Sequence, residues 1–239
     1  QRPTARVASR AYKQGLPAPQ AGQGQNYCTC RFIACTSLGE PLHDLQMTDD
    51  AILAEFRASE ALLEGHFVLS SGRHSSHYLQ CARVLMNGER ADRLARALAQ
   101  KLPREIRSAI DVVVSPAMGG LIIGHEMGRC LGVDALFLER PEGIFHLRRG
   151  FRLEPGQKVL MVEDVVTTGL SSREAIEAVK REGGEVIAEA ALVDRSNGSV
   201  DLGVPFFPLI TIAVPSYAEE DVPPELAAIP VTKPGSRKA

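Results

Sequence analysis

The sequence has no tryptophan, and aromatic residues make up only 5% of its 239 residues. No apolar run approaches the ~20 residues that a membrane-spanning helix needs, which excludes such a helix. Basic residues do not outnumber acidic ones, and the net charge is −2, so the charge pattern of a nucleic-acid-binding surface is missing. Hydrophobic residues (44%) and charged residues (23%) are near average, which indicates a globular protein.

Cysteine is scarce and irregularly spaced, with five residues at positions 28, 30, 35, 81 and 130. An odd, scattered set in a chain of this length does not predict a disulfide framework. The first three lack the further, well-spaced ligands that a zinc site requires, so no metal site is predicted there. We therefore expect a protein of a reducing compartment, the cytoplasm.

Residues 1–46 differ in composition from the rest of the chain. They hold five basic and two acidic residues (+3), whereas the remaining 193 residues hold 22 basic and 27 acidic residues (−5). The segment is rich in Gln, Gly and Pro without apolar periodicity, which predicts disorder. It opens on Gln1, and the first methionine is Met47. It is interpreted as a transit segment, a tag or, preferably, translated sequence upstream of the true start, with one folded domain over 47–239.

Beyond Met47, apolar runs alternate with amphipathic segments. Thr48 and the two acids after it predict a helix start, and this helix is expected to run through Leu63 and stop at Gly65. The pattern further predicts helices over 89–101, 120–131 and 171–181, and strands over 111–115, 135–139, 158–166, 186–193 and 209–214. Apolar strands separated by helices indicate an α/β fold whose mainly parallel sheet is covered on both faces. Ligands of such sheets bind at the strand-to-helix loops.

The strongest chemical signal lies in residues 159–172. An apolar strand ends at Glu163 and Asp164, and a Thr-Thr-Gly turn at 167–169 then leads into a helix. Backbone N–H groups at a helix start bind anions, whereas two adjacent acids at the end of a buried strand are costly without a partner. A ribose 5-phosphate satisfies the N–H groups and the acids together, with its phosphate at the turn and its hydroxyls donating to the acids.

This segment resembles the PRPP-binding motif of the type I phosphoribosyltransferases: apolar residues, two acids, two apolar residues and Thr-Thr-Gly. The glycine patterns of dinucleotide and P-loop sites are absent. Residues 65–79 contain Gly-x-Phe-x-Leu, Ser-Gly-x-x-Ser and an aromatic residue, and are similar to the base-recognition segment of the orotate phosphoribosyltransferase family. Further matches follow in the family's order at 115–120, 139–140, 147–151 and 194–195.

The resemblance implies a type I phosphoribosyltransferase fold, in which a mainly parallel twisted sheet is flanked by helices and carries a small base-recognition hood. It implies transfer of the ribose 5-phosphate of PRPP to N1 of orotate, giving orotidine 5′-phosphate and pyrophosphate. Mg²⁺ is then held mainly by PRPP, with no direct ligand from the protein. The resemblance also implies a homodimer whose mobile loop acts on the neighbouring subunit's site.

The resemblance assigns roles to individual residues. The implied catalytic residues are Glu163 and Asp164, which hold the ribose hydroxyls, together with Arg148 and Arg149 on the mobile loop. The implied orotate contacts are Tyr78, Thr167 and Arg195. The implied PRPP contacts are Ala117, Met118, Gly119, Gly120, Arg140, His146, Glu163, Asp164, Val165, Val166, Thr167, Thr168, Gly169, Leu170 and Ser171.

The sequence departs from the family where lysines are common. Pro141 and Ile144 stand on the mobile loop, Gly119 beside the pyrophosphate loop, and Ser70 in the base-recognition segment. We expect the arginine pair at 148–149 to replace the missing cations, since arginine is a bidentate phosphate donor. The alternatives are a type I enzyme acting on a purine base and a non-catalytic PRPP-sensing regulator. The latter is disfavoured because no DNA-binding domain or positive charge accompanies the motif.

Overall fold

A computed structural model describes residues 47–69 and 72–233, and the expectations for residues 1–46 and for Ser70 lie outside these ranges. The helices are α1 (Asp49–Ala58), α2 (Cys81–Leu85), α3 (Gly88–Lys101), α4 (Arg104–Ala109), α5 (Gly120–Leu131), α6 (Leu170–Arg181) and α7 (Pro224–Ala227). The strands are β1 (Leu62–Val68), β2 (His74–Leu79), β3 (Val112–Pro116), β4 (Asp134–Glu139), β5 (His146–Leu147), β6 (Lys158–Val166), β7 (Glu185–Asp194), β8 (Phe206–Thr211), β9 (Ser216–Tyr217) and β10 (Val231–Thr232). Within these ranges no helix is long and apolar enough to cross a membrane.

The larger sheet has six strands in the order β5-β4-β3-β6-β7-β8. Five of them run parallel, and β5 pairs antiparallel with β4 at one edge, so the predicted mainly parallel sheet is confirmed. The chain leaves β3 toward β4 and later returns on the other side of β3 as β6. The loops after β3 and β6 therefore diverge at a topological switch point, where sheets of this class bind ligands.

Apolar side chains cover both faces of this sheet. On one face Phe56, Leu98 and Ile123 are fully buried from α1, α3 and α5. On the other face Ile176 of α6 packs in a second cluster with Met161 of β6. Residues 159–162 of β6 enter the two clusters alternately, as the two-residue repeat of a strand requires. The strand that carries the acidic motif is thereby held from both sides.

Helix α5 lies close to β3 and β4 because its inner face is built from glycines. A Cβ added to Gly124 would lie 2.4 Å from Ser115 Oγ, and one added to Gly128 would lie 2.8 Å from Ala135 Cβ. Larger residues at these positions would push the helix away from the sheet. The close packing brings the start of α5, and the loop before it, to the end of β6.

The smaller sheet, which we call the hood, has the order β10-β1-β2-β9. β1 and β2 form an antiparallel pair, and the Pro-rich C-terminal part of the chain folds back to add β9 and β10 at the two edges. His66 Nε2 lies 2.6 Å from His74 Nδ1, and His66 Nδ1 lies 3.2 Å from the oxygen of Ile229. The buried His66 thus joins the hairpin to the C-terminal segment.

The expected helix from Thr48 to Gly65 is wrong in its second half. Helix α1 ends at Ala58, where the Ser59 hydroxyl donates to two carbonyl oxygens of the last turn, and Glu60 then adopts a left-handed conformation with φ 52°. Residues 62–65 belong to β1, because cross-strand hydrogen bonds with β2 replace those of a helix. Strand β8 was predicted over 209–214 but spans Phe206–Thr211, so it begins and ends three residues earlier than predicted.

Candidate active site

A cavity of about 300 Å³ opens beyond the carboxyl end of β6. Arg140 and residues 165–172 line it, so its walls are the turn after β6 and the first residues of α6. Gly169 makes this turn with φ 72°, and a Cβ there would lie 2.4 Å from Val200 Cγ2. Only glycine combines this conformation with such close packing. The N–H groups at the start of α6 and the hydroxyls of the turn surround a space suited to an anion.

Glu163 and Asp164 point to opposite faces of the sheet, as adjacent strand residues do. The Ser171 hydroxyl donates to Glu163 Oε1 over 3.2 Å on the α6 face. Asp164 lies on the α5 face against Gly119, where an added Cβ would be only 2.5 Å from Asp164 Oδ1. The two acids therefore connect the anion cavity with the loop before α5.

The environment of both acids disfavours their charged forms. Burial raises the pKa of Glu163 to about 8, and the neighbouring charges of Asp164 and Glu189 add to this effect. The Ser171 hydroxyl and the Arg140 guanidinium oppose it. Burial also raises the pKa of Asp164, against the hydrogen bonds of two backbone N–H groups. Carboxyl groups in a cleft whose pKa is strongly raised are typical of functional sites.

The loop at 117–119 joins β3 to α5 and lies directly beside Asp164. Its first residue, Ala117, donates its N–H to the oxygen of Leu138 over 2.8 Å, and the Ala117–Met118 peptide bond is cis. A Cβ on Gly120 would lie 2.9 Å from the backbone oxygen of Val162. The structure thus brings the predicted pyrophosphate residues and the predicted ribose-binding acids together.

Among the predicted cations, Arg140 lies in the cavity. It forms an ion pair with Glu174 of α6, and its guanidinium carbon lies 4.2 Å from the centre of the Phe145 ring. Both contacts orient the guanidinium, which joins the hydroxyls and N–H groups of residues 165–172 in one wall. The sequence carried no local signal for Glu174, because the pairing joins a β4 end to a helix.

The predicted arginine pair lies elsewhere, on the turn after β5. Arg148 Nη1 is 3.2 Å from Glu139 Oε2, and Arg149 Nε is 2.6 Å from Glu139 Oε1. These two residues and the exposed His146 are not among the residues that line the cavity in the described chain. The structure therefore does not bring them to the PRPP motif of the same chain.

The predicted base contacts come from two different elements. Arg195 follows β7, donates its backbone N–H to the oxygen of Val166 over 2.8 Å, and has a buried Nε without a hydrogen-bond partner among the described residues. Burial lowers the pKa of its guanidinium. Tyr78 lies in the hood, with its ring 5.8 Å from that of Phe67. A buried donor without a partner is rare, and fits an acceptor supplied by a ligand.

Glu189 is a buried acid next to the site, and sequence pattern predicted no role for it. It lies in β7, is 0% exposed, and in the described chain neither carboxylate oxygen has a partner with hydrogen-bond geometry. Burial raises its pKa to about 7, against the effect of the nearby Ser172 hydroxyl. The available signal was an acid in the middle of an otherwise apolar strand.

The two buried glutamates lead to a prediction about stability. Glu163 and Glu189 bind protons more tightly in the folded chain than in the unfolded chain, where Glu has a pKa of about 4.3. The folded state thus holds more protons across this window, and the free energy of unfolding contributed by the pair falls from about pH 5 to about pH 8. Thermal unfolding across this range should show a smaller decrease for Glu189→Gln than for the wild type. The exposed Glu185→Gln, on the same strand, is the control, and equal decreases in both variants would contradict the prediction.

Comparisons with known proteins show the family to which the chain is related. Residues 84–207 match the family model of the phosphoribosyl transferase domain. The orotate phosphoribosyltransferase of Erythrobacter litoralis is 80% identical over 191 residues, which cover 80% of this chain and 99% of that protein. The enzyme of the same name from Caulobacter vibrioides is 57% identical over 192 residues, which cover 80% of this chain and 98% of the relative.

A solved structure is also similar. The crystal structure of orotate phosphoribosyltransferase from Aeropyrum pernix superimposes with a TM-score of 0.56 at 26% identity, covering 67% of this chain and 93% of that chain. The fold, the residues gathered at the switch point and the identity to these relatives lead to one conclusion. The chain belongs to the orotate phosphoribosyltransferase family and has the type I phosphoribosyltransferase fold.

Proposed function

We propose that this chain transfers the 5-phosphoribosyl group of PRPP to N1 of orotate, forming orotidine 5′-phosphate and releasing pyrophosphate. One observation carries the assignment of its site: the anion cavity at 165–172, the acids at 163–164 and the loop at 117–120 meet at the switch point between β3 and β6. A substrate with a phosphate at one end, a diol in the middle and a diphosphate at the other matches that sequence of groups.

The cavity binds the 5-phosphate in this proposal. The backbone N–H groups and hydroxyls of residues 167–171 donate to the phosphate oxygens, and Arg140, oriented by Glu174, supplies a positive charge. Glu163 and Asp164 accept hydrogen bonds from the ribose hydroxyls. Their negative charges also stabilise the positive charge that develops on the ribose as the bond to pyrophosphate breaks.

The loop at 117–120 presents backbone N–H groups to the diphosphate. Among the described residues no group of three or more His, Cys, Asp or Glu side chains could hold a metal ion. The oxygen-rich PRPP is itself a suitable Mg²⁺ ligand, so we assign the ion mainly to the substrate. When bound, Mg²⁺ neutralises charge on the leaving diphosphate.

The base is held by residues from both sheets. Orotate is planar and anionic, so a stacking ring and a guanidinium suit it. Tyr78 supplies the ring, Arg195 the guanidinium with its unpaired buried Nε, and Thr167 a hydroxyl at the start of the turn. N1 of the base is thereby presented to C1 of the ribose.

The proposal includes a cytoplasmic homodimer in which Arg148 and Arg149, on the turn after β5, act on the neighbouring subunit. Its support is the position of Arg148 and Arg149, which are exposed at the sheet edge and outside the cavity of their own chain. In this arrangement Glu139 holds both arginines until they reach the diphosphate of the partner's substrate.

Replacing Arg148 and Arg149 together by alanine is expected to lower kcat by about tenfold or more, because two cations near the leaving diphosphate are lost. The melting temperature should stay close to that of the wild type, since exposed ion pairs contribute little stability. Initial rates and thermal unfolding measure the two effects. The double variant Arg57→Ala/Arg104→Ala removes two exposed arginines outside this loop, of which Arg57 is also ion-paired, and it should keep its rate. Near-normal turnover without the 148–149 pair would contradict the assignment.

The proposed reaction is tested by following the absorbance of orotate after PRPP and Mg²⁺ are added to the full chain. We expect the absorbance to fall, with pyrophosphate released in equal amount. Turnover with adenine or hypoxanthine but not with orotate would refute the base assignment. Binding of PRPP without turnover of any base would favour the non-catalytic regulator instead.

A further inference from the structure

A second glutamate lies behind the acid that faces the ribose. In the parallel pairing of β6 with β7, Glu189 of β7 is opposite Met161 of β6. Glu163 lies two residues after Met161 on β6. Because strand residues two apart share a face, the two glutamates are diagonal neighbours on the face covered by α6. Glu163 is 6% exposed and Glu189 0%.

Few groups compensate charge on this pair. From α6, the Ser171 hydroxyl donates to Glu163, and the Ser172 hydroxyl lies near Glu189 and lowers its proton affinity. The Arg140 guanidinium from the end of β4 acts on Glu163 through space, but it is ion-paired with Glu174. The Asp164 carboxylate adds another negative charge from the opposite face. In the described chain no basic side chain pairs with Glu189.

Two carboxylates in this environment do not ionise independently. Each is removed from water, and each negative charge raises the cost of the other. Their protons therefore leave in two steps that belong to the pair. The deeper residue, Glu189, is fully buried, whereas Glu163 accepts a hydrogen bond from Ser171, which lines the cavity.

We propose that Glu189 is a positioning residue: its buried carboxyl group, diagonal to Glu163 and without a hydrogen-bond partner in the described chain, controls when Glu163 is available as a carboxylate to bind the ribose. The inference rests on the proposed role of Glu163 in binding PRPP. When the ribose hydroxyls bind, they donate to the Glu163 carboxylate. The proton that Glu163 held leaves to water, and no other bond is made or broken. PRPP capture thereby becomes dependent on pH.

The pH dependence of kcat/KM for PRPP tests this role. The wild type should lose kcat/KM as the pH falls below about 8, because burial raises the pKa of Glu163 to about 8 and the protonated acid cannot accept from the ribose hydroxyls. We call the part of the pH profile in which kcat/KM falls with decreasing pH the acid limb. Glu189→Gln removes the neighbouring charge while keeping the shape of the side chain, so the acid limb should move to lower pH by about one unit. Glu189→Leu removes the same charge by an apolar side chain and should move the limb in the same direction, which also covers the case in which one variant fails to fold.

Glu185→Gln is the matched control, since it removes an exposed glutamate from the same strand and should leave the limb unchanged. Calorimetric titration of PRPP and Mg²⁺ in two buffers of different ionisation enthalpy, at about pH 7.5, counts the protons released. The wild type and Glu185→Gln should release more than Glu189→Gln. Protons from PRPP itself cancel in this comparison.

The outcomes separate the two proposals. An acid limb and a proton release that are the same in Glu189→Gln and the wild type would overturn the role of Glu189, while orotate turnover continues to support the proposed reaction. Absence of orotate turnover in the wild type at every pH would overturn the proposed reaction. A limb that moves for both Glu189 variants supports a charge effect, whereas a lower rate with an unmoved limb would mean that Glu189 only maintains packing.

Discussion

Asp164→Asn is expected to lower kcat/KM for PRPP by about 10²-fold or more, as removal of one preorganised charge-stabilising group does in other enzymes. Asparagine keeps the size of the side chain against Gly119 and can still accept hydrogen bonds through its amide oxygen. It lacks the negative charge that stabilises the developing positive charge of the ribose. The loss should therefore appear in kcat as well as in KM.

Stability is expected to respond in the opposite direction. Burial raises the pKa of Asp164, so its charged form is disfavoured in the fold, and asparagine removes that cost. The melting temperature of Asp164→Asn at about pH 8 should equal or exceed that of the wild type, an activity loss without a stability loss. Asp134→Asn, at the exposed start of β4, is the control and should change neither quantity. A kcat/KM close to the wild-type value would exclude Asp164 from the ribose site.

Gly119→Ala is expected to reduce kcat/KM for PRPP by about 10²-fold. The added Cβ would lie 2.5–2.7 Å from the three carboxyl atoms of Asp164, so either the carboxylate or the loop at 117–120 has to move. A displacement of about 1 Å in a catalytic group costs that much in rate. Any larger side chain at Gly119 would meet the same carboxyl group.

Two comparisons isolate the contact as the cause. Gly88→Ala adds a methyl group at the start of α3, where no atom lies within 4 Å of the new Cβ, and it should leave the rate unchanged. In an Asp164→Ala background the carboxylate is gone, so Gly119→Ala should have little further effect, which is the non-additivity expected of residues in contact. Equal effects of Gly119→Ala in both backgrounds would locate its cause elsewhere.

Local sequence pattern predicted the elements around the site well. Residues 158–166 are apolar enough to indicate a buried strand by themselves, and α3 and α5 follow from the spacing of their apolar residues. The first helix was extended too far because leucines at 62 and 63 continue an apolar pattern that suits either structure. These residues form a strand because they pair with β2. Such a pairing cannot be inferred from the pattern of residues adjacent in sequence.

Contacts between distant elements were the part that sequence pattern did not reveal. The ion pair of Arg140 with Glu174 joins β4 to α6, and Glu139 holds the arginine pair across the β4–β5 pairing. Sequence resemblance predicts all three arginines on one mobile loop. The structure places Arg140 in the cavity and leaves the other two outside it, because β5 turns back along the sheet edge.

The sequence by itself determined the α/β class, the strand-to-helix turn at 167–169 and the two acids before it, because each depends on residues close together in the chain. Tertiary structure alone decided that these acids face opposite sides of the sheet, that Gly119 lies against one and that Glu189 lies behind the other. Strand order and register set these neighbours. They are determined by packing across the whole sheet, and an acid acquires its chemistry from what that packing places beside it.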